Sequence, residues 1–254
     1  MRSVLFLFLA ATGCSAVVSS GAESDAQSTS TTGIVVVGSV ASGDDTARGE
    51  ASARFIRLQG PIDDSALGLV QASLDLPPIG QCAPRQDQAS SRAVELLDVG
   101  AISIEATGTG QKVALGSRQV PDVVDLVSGT MYSARIDDSS VPAASNVTVL
   151  VSGSADVPAF SIRAKTPEAP AGVRLSPIDA SSVELTWTAG TDSIYVDFGA
   201  SRCSFADEGR AVISLGDGET VVTLHRVRRE QLSIPGLDGG ELRFDFARAV
   251  TYSR

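Results

Sequence analysis

Three cysteines carry the most definite chemistry in this sequence. Cys14 lies near the amino terminus, while Cys82 and Cys203 lie in different halves of the chain. In an oxidising compartment the latter two could form a disulfide that joins the halves, and otherwise they are two buried thiols. The sequence leaves both alternatives open, because disulfide formation depends on a geometry that spacing does not specify.

His225 is the only histidine, so a Ser-His-Asp triad would have to use it. No G-x-S-x-G motif accompanies it, and its neighbours alternate as in a strand. We therefore interpret it as a histidine on a strand surface. One histidine and two distant cysteines make no convincing zinc site. We predict no catalytic residues, no metal and no cofactor.

Paired carboxylates are the remaining acidic candidates. Such pairs could serve a glycosidase or bind calcium. No D-x-D-x-D-G loop is present. We interpret the pairs as turn formers and solubilising charge; they are Asp44-Asp45, Asp63-Asp64 and Asp137-Asp138.

Two aromatic residues and one basic run are further candidates for ligand binding. Trp187 and Tyr195 could stack against a sugar, but Trp187 shares an apolar face with its neighbours and is expected in the core. The run HRVRR at 225–229 is basic in an acidic chain. On a strand its alternate arginines point to opposite faces, so we expect a charged sheet surface and no single basic patch.

Composition sets limits on partners and fold. The chain has 254 residues, of which 43% are hydrophobic, so it can bury a core. Its net charge of −10 repels phosphate backbones, which disfavours nucleic-acid binding.

The opening stretch LFLFLAATGCS (5–15) indicates export. Arg2 precedes an apolar run from Val4 to Ala11. A membrane-spanning helix needs about 20 apolar residues, so this run is too short to cross a bilayer. It has the length of the h-region of a secretory signal.

The residues Ala11-Thr12-Gly13-Cys14 resemble the lipobox of bacterial lipoproteins. The resemblance implies cleavage before Cys14, acylation of its thiol (palmitate or a similar chain) and anchoring to a membrane without spanning it. Ser15 stands where an Asp would retain the protein at the inner membrane, which favours the outer membrane. The alternative is an ordinary cleaved signal with an incidental cysteine.

The domain organisation follows from changes in composition. We predict a signal peptide at 1–13, a lipidated Cys14 with a disordered linker at 14–32, and two tandem antiparallel β-sandwich domains at 33–165 and 166–254. The Pro-rich stretch KTPEAPAGV (165–173) marks the boundary between the two domains.

Short β-branched runs separated by Gly, Pro, Asp and Ser predict an all-β fold. A helix is considered only at 64–74. In ELRFDFARAV (241–250), Leu242, Phe244 and Phe246 share the buried face, and Arg243 and Asp245 mark the wet side. The predicted strands are 34–40, 51–58, 100–107, 111–115, 130–136, 146–152, 160–165, 172–176, 182–188, 193–199, 209–215, 219–227, 230–237 and 241–250.

The second half resembles a fibronectin type III or related immunoglobulin-like module. TPEAPAGVRLSPIDASSVELTWTAG resembles its entry, strand A and strand B with Trp187, and SIYVDFG resembles strand C. In EQLSIPGLDGGELRFDFARAV, Leu237 precedes a turn and the stretch that resembles strand F, where Leu242 replaces the family's usual tyrosine. The resemblance implies a sandwich that serves as a spacer or binding module.

Together these features predict a lipid-anchored cell-envelope protein with a non-enzymatic structural, adhesive or ligand-binding role. Its expected contacts are the membrane, through the lipid, and an envelope protein or glycan. The alternative is a carbohydrate-active enzyme or its carbohydrate-binding accessory module.

Overall fold

The structure, a computed structural model, describes residues 29–253 apart from 44, 61, 63, 71–72, 86–92, 124–125 and 217. These residues form strands and one short helix, α1 (Asp64–Leu69), so the predicted all-β class is confirmed. The strands are β1 (Thr29–Ser42), β2 (Arg48–Gln59), β3 (Cys82–Pro84), β4 (Val94–Leu96), β5 (Ile102–Ala106), β6 (Lys112–Val123), β7 (Val127–Asp137), β8 (Asn146–Val151), β9 (Phe160–Lys165), β10 (Arg174–Pro177), β11 (Ser182–Thr186), β12 (Ser193–Phe198), β13 (Ser201–Phe205), β14 (Arg210–Ser214), β15 (Thr220–Leu232) and β16 (Gly239–Tyr252).

The described strands form one large and one small sheet. The large sheet has 13 strands in the order β3-β13-β12-β15-β16-β1-β2-β4-β7-β6-β5-β8-β9, with β2 also paired to β7, and the small sheet is β10-β11-β14. Strand β6 connects two layers, because its first residues pair with β5 and its residues from Gly116 onward pair with β7. The large sheet therefore folds over itself in the first half of the chain.

The first core lies between these two layers of the large sheet. Val35 and Val37 of β1 and Phe244 of β16 come from one layer, and Ile104 of β5 and Val149 of β8 come from the other. Each of these side chains is fully buried. Strand β1 is apolar on both faces, because Ile34 and Val36 belong to a separate cluster on the outer side.

The second core lies between the small sheet and strands β12 and β15. Val183, Leu185 and Trp187 pack there against Val196 and Leu224. Trp187 is 6% exposed, which confirms its predicted place in the core. Two sheets packed face to face make this half a sandwich.

Strand β16 contributes to both cores. Leu242, Phe244 and Phe246 belong to the first, whereas Val250 and Tyr252 pack against the second. The large sheet thus crosses the predicted boundary at residue 165, and the division into two domains stays a prediction.

Two strand pairs depart from the predicted antiparallel arrangement. β1 and β16 run parallel from Thr32↔Gly239 to Ser42↔Ala249, and β4 pairs in parallel with β7. Parallel neighbours cannot be joined by a tight hairpin, so such pairings are invisible to sequence patterns that rely on consecutive strands.

The predicted linker extends too far at its end. It was assigned to residue 32, but β1 begins at Thr29, and Thr29 pairs with Gln59 of β2. The backbone N–H of Thr31 also donates to Asp238 Oδ2 at 2.7 Å. Backbone and turn partners hold this Ser/Thr segment in the sheet, although its side chains are poor in apolar surface. Residues before Thr29, including Cys14, lie outside the described residues.

The two strands predicted at 219–227 and 230–237 are wrong, because one strand, β15, runs to Leu232. The stretch at 241–250 lies within β16, which is the last described strand and pairs antiparallel with β15. Arg228 and Arg229 lie between the two predicted strands, and both are paired with carboxylates inside one continuous strand.

Short elements escaped the sequence patterns. β3, β4 and β13 were not predicted, and α1 ends at Leu69 although the pattern ran to residue 74. Strands of three to five residues contain too few side chains for a period to emerge. Within the described part of the chain, no helix has the length and apolar character needed to cross a membrane.

Candidate functional site

The outer face of the large sheet brings together the polar side chains of β12, β15 and β16. Tyr195 and His225 are directly opposite each other in the β12–β15 register, and Val227, two residues further along β15, is opposite Asp245. Because side chains alternate along a strand, the residues that line this face are those between the buried core positions. Tyr195, His225 and Asp245 therefore meet on one surface.

The three side chains form a closed cluster. Tyr195 Oη donates to Asp245 Oδ2 at 2.6 Å, and His225 Nδ1 lies 2.8 Å from Asp245 Oδ1. A carboxylate accepts hydrogen bonds, so the imidazole donates through Nδ1–H. The rings of Tyr195 and His225 stack with centroids 4.1 Å apart and an interplanar angle of 12°.

A loop segment covers this cluster. Leu74 packs with Tyr195 and Val227, and Leu76 packs beside them. The chain that follows this loop is attached to the large sheet, because β3 pairs with β13 and a disulfide joins Cys82 to Cys203. Cover and disulfide together keep the tyrosine ring out of water.

Two arginines and one carboxylate form the border of the cluster. Arg202 Nε and Nη2 donate to the two oxygens of Asp197 at 2.8 and 2.9 Å, a bidentate pair. The Arg202 guanidinium lies 4.7 Å from the centre of the Tyr195 ring, and Arg85 Nη1 is 3.7 Å from Asp197. The hydrogen bonds that Arg202 donates to Asp197 raise the pKa of Arg202, which keeps its charge over the ring.

The electrostatics favour a neutral tyrosine. Burial raises the pKa of Tyr195 far above its usual value, and the negative charge of Asp245 raises it further. The hydroxyl is thus held as a hydrogen-bond donor. The hydrogen bond from this hydroxyl to Asp245 links β12 to β16 on this face of the sheet.

The geometry of His225 does not make a hydrolytic triad within the described residues. No described serine hydroxyl hydrogen-bonds to the imidazole, and Ser204 pairs with the far side of Tyr195 in the strand register. His225 does face outward, as expected of a strand-surface histidine, but its side chain is only 14% exposed. Its environment is a partnered cluster under a loop.

A second polar cluster lies beside the first on the same face. Glu241 Oε2 accepts from Arg229 Nη2 at 2.6 Å, and Glu241 Oε1 accepts from Arg243 Nε at 2.8 Å. Burial pushes the pKa of Glu241 upward, but the hydrogen bonds and charges of Arg229 and Arg243 outweigh burial and lower it. Glu241 is therefore an ionised, shared acceptor.

The run HRVRR separates as expected between two faces, but Arg226 is not a surface charge. Its side chain is 1% exposed, and Nη2 donates to Asp207 Oδ1 at 3.0 Å and to the carbonyl of Thr188 at 2.7 Å. Trp187 Nε1 donates to the same Asp207 oxygen at 2.7 Å. Gly190 leaves room for this ion pair, since a Cβ there would lie 2.6 Å from Asp207.

The other predicted candidates do not converge. Trp187 and Tyr195 are both buried and belong to different clusters, so they form no open stacking platform. Asp137 accepts from the backbone N–H groups of Ser139 and Ser140, which agrees with its interpretation as a turn former. Among the described residues no group of three or more metal ligands is present. Asp44 and Asp63 lie outside the described residues.

The carboxylates that organise both clusters were missed in the sequence. Both alternate with Leu242, Phe244 and Phe246, and this alternation predicts the side opposite the core for Asp245, whereas Glu241 carries no prediction. Their partners lie on other strands, so no local motif marks them. No protein-family model matches the chain, and a search of curated proteins finds no match.

Proposed function

We propose that this chain is a lipid-anchored protein of the bacterial cell envelope whose β-sandwich ectodomain has a non-enzymatic structural or binding role. The observation that carries the proposal is the apolar run Val4–Ala11 followed by Thr12-Gly13-Cys14. Small residues before a cysteine, directly after a short h-region, are what lipoprotein processing requires.

The cysteine chemistry also supports a location in the oxidising environment of the cell envelope. Apart from Cys14, the chain has two cysteines, and they are joined in a disulfide that fastens the loop over the Tyr195 cluster. Structural disulfides persist in oxidising environments such as the periplasm and the cell surface. A disulfide of this kind fits an exported ectodomain.

The position of β1 suggests how the ectodomain is held. Residues 15–28 separate Cys14 from Thr29, the first residue of β1. Gln59 and Asp238 contact the start of β1, and an anchor at Cys14 would bring this end of the first sandwich nearest to the membrane. Ser15 favours the outer membrane.

The polar clusters support a structural or binding role. The acidic and basic side chains around Tyr195 and Glu241 hydrogen-bond mainly with one another, and the aromatic rings that could stack on a sugar are buried. Polar networks whose members satisfy one another make a fold rigid, which supports a structural role.

The test is lipid attachment in intact bacteria. The full chain, expressed with an alkyne-bearing fatty acid, is compared with Cys14→Ser and with Cys82→Ser/Cys203→Ser as the matched thiol control. We expect label and detergent-phase partitioning in the wild type and the control, and loss of both in Cys14→Ser. Intact mass should equal residues 14–254 plus acyl chains. A cleaved, unacylated product would refute the anchor.

A further inference from the structure

Arg54 does not belong to either of the polar clusters described above. It lies on the outer face of β2. Ile34 of the neighbouring strand β1 pairs with Arg54 on one side and with Glu241 of β16 on the other. The residue is 6% exposed, and Nη1 donates to Ser52 Oγ at 2.9 Å. Its Nε is completely buried and has no hydrogen-bond partner.

An unpartnered donor of this kind is costly. A buried polar group without a hydrogen-bond partner destabilises the fold, and a charged group does so more strongly than a neutral one. No ion pair joins Arg54 to a carboxylate among the described residues. Burial lowers the pKa of Arg54, Glu50 partly offsets this, and the nearby charge of Arg243 lowers it further.

Arg243 occupies the matching position on the other side of β1. Val36 of β1 pairs with Arg243 on one side and with Ser52 on the other. The Arg54 side chain turns towards Ser52, and therefore towards the level of Arg243 in the sheet. Arg243 is 5% exposed and is bound to Glu241 Oε1. The Arg243 charge is near enough to lower the pKa of Arg54, although β1 lies between their two strands.

Neither nearby carboxylate hydrogen-bonds to Arg54: Glu50 acts on it only through its charge, and Glu241 is already committed to other arginines. Glu241 accepts from Arg243 through one oxygen and from Arg229 through the other. Neither oxygen hydrogen-bonds to Arg54. An added negative group would give the buried Nε a hydrogen-bond acceptor and would offset the charge of Arg243.

We propose that Arg54, with Arg243 across β1, binds a small oxyanion on the outer face of the large sheet. The Nε and Nη2 edge of an arginine is a planar fork that matches two oxygens of a phosphate or a carboxylate. Arg54 and Arg243 expose so little surface that the ligand group must be small. This site is independent of the proposed lipid anchor.

The experiment uses inorganic phosphate as the probe and the full chain in detergent. Calorimetric titration at constant ionic strength compares the wild type with Arg54→Gln and with Arg210→Gln. Arg210 is an exposed arginine on β14 of the small sheet, so this control makes the same charge change away from the site. We expect saturable binding to the wild type and to Arg210→Gln, and at least tenfold weaker binding to Arg54→Gln.

A second measurement does not depend on the variant folding. The Arg54 Nε–H resonance of the wild type should move on titration with phosphate, and acetate in a parallel titration shows whether a carboxylate also binds. Chloride at the same ionic strength should leave the resonance in place. Equal affinity of the two variants, or an Nε–H resonance that chloride moves as much as phosphate does, would overturn the proposal.

Discussion

Each half of the molecule contains a buried tyrosine whose hydroxyl donates to an aspartate, and the surroundings of the two pairs differ. Tyr132 Oη donates to Asp98 Oδ1 at 2.6 Å, and Tyr195 Oη donates to Asp245 Oδ2 at the same distance. Asp98 is exposed, whereas the Asp245 side chain is 19% exposed and also binds His225.

The difference shows how the same hydrogen bond can serve two purposes. Tyr132 Oη also accepts from the backbone N–H of Val99, so this pair fixes a chain turn next to water. The Tyr195 pair has no such backbone role in the described contacts. It organises a cluster of side chains that a separate, disulfide-fastened loop must cover.

The largest effect should come from removing the disulfide with Cys82→Ala/Cys203→Ala. We expect a loss of about 2–5 kcal/mol in the free energy of unfolding, because the covalent link restricts the unfolded chain. Denaturant titration measures this loss. Hydrogen exchange should become faster at Gly80 and Ser204, whose N–H groups bond across the fastened loop.

The Val99 N–H is the internal reference for that experiment. It is bonded to Tyr132 in the other half of the molecule, so its exchange should change only with global stability. If Val99 and Ser204 are affected equally, the loop is not a separate unit and the contrast between the two sites fails.

A smaller effect is expected from comparing Asp245→Ala with Asp98→Ala. Removing Asp245 leaves Tyr195 and His225 without their acceptor under a covering loop, which should cost about 2–4 kcal/mol. Removing Asp98 should cost about 1 kcal/mol, because water can replace an exposed carboxylate. Denaturant titrations of both variants measure the difference. Equal losses would mean that burial does not distinguish the pairs.

The smallest effect is a difference in alkaline titration. Burial, followed by the hydrogen bond to Asp98, raises the pKa of Tyr132 to about 12, and burial raises that of Tyr195 further. A raised tyrosine pKa stabilises the fold fully below the unfolded value of about 10, and this stabilisation is lost as pH rises through the folded pKa.

Tyrosinate absorbance after a rapid pH jump measures the two groups before unfolding. Tyr132→Phe should remove the ionisation step near pH 12, and Tyr195→Phe should leave that step in place. The opposite pattern would reverse the assignment of the more protected tyrosine.

The sequence predicted the inner faces of the sheets better than the outer ones. The alternation in β16 correctly assigned Leu242, Phe244 and Phe246 to a core. The same alternation predicted that Arg243 and Asp245 are exposed to solvent, but Arg243 is only 5% exposed. A period of two separates the faces of a strand, and it contains no information about which loop covers a face.

The candidate site was hidden for a related reason. Tyr195, His225 and Asp245 belong to three strands, so only the register brings them together. His225 stands out in the sequence because it is the only histidine. Its partner Asp245 is one of several polar positions in an alternating strand, and nothing local distinguishes it. Pairings between distant strands follow from the whole fold and leave no local spacing to read.

The parallel pairing of β1 with β16 has a mechanical consequence. The chain enters β1 at Thr29 and leaves β16 at Tyr252, at opposite ends of two adjacent strands. Tension applied between these residues pulls the strands lengthwise past each other, so the whole row of hydrogen bonds from Thr32 to Ser42 bears the force at once. A protein attached at one end of β1 and loaded at the far end of β16 would resist in shear, where a hairpin pulled at its open end would unzip one bond at a time.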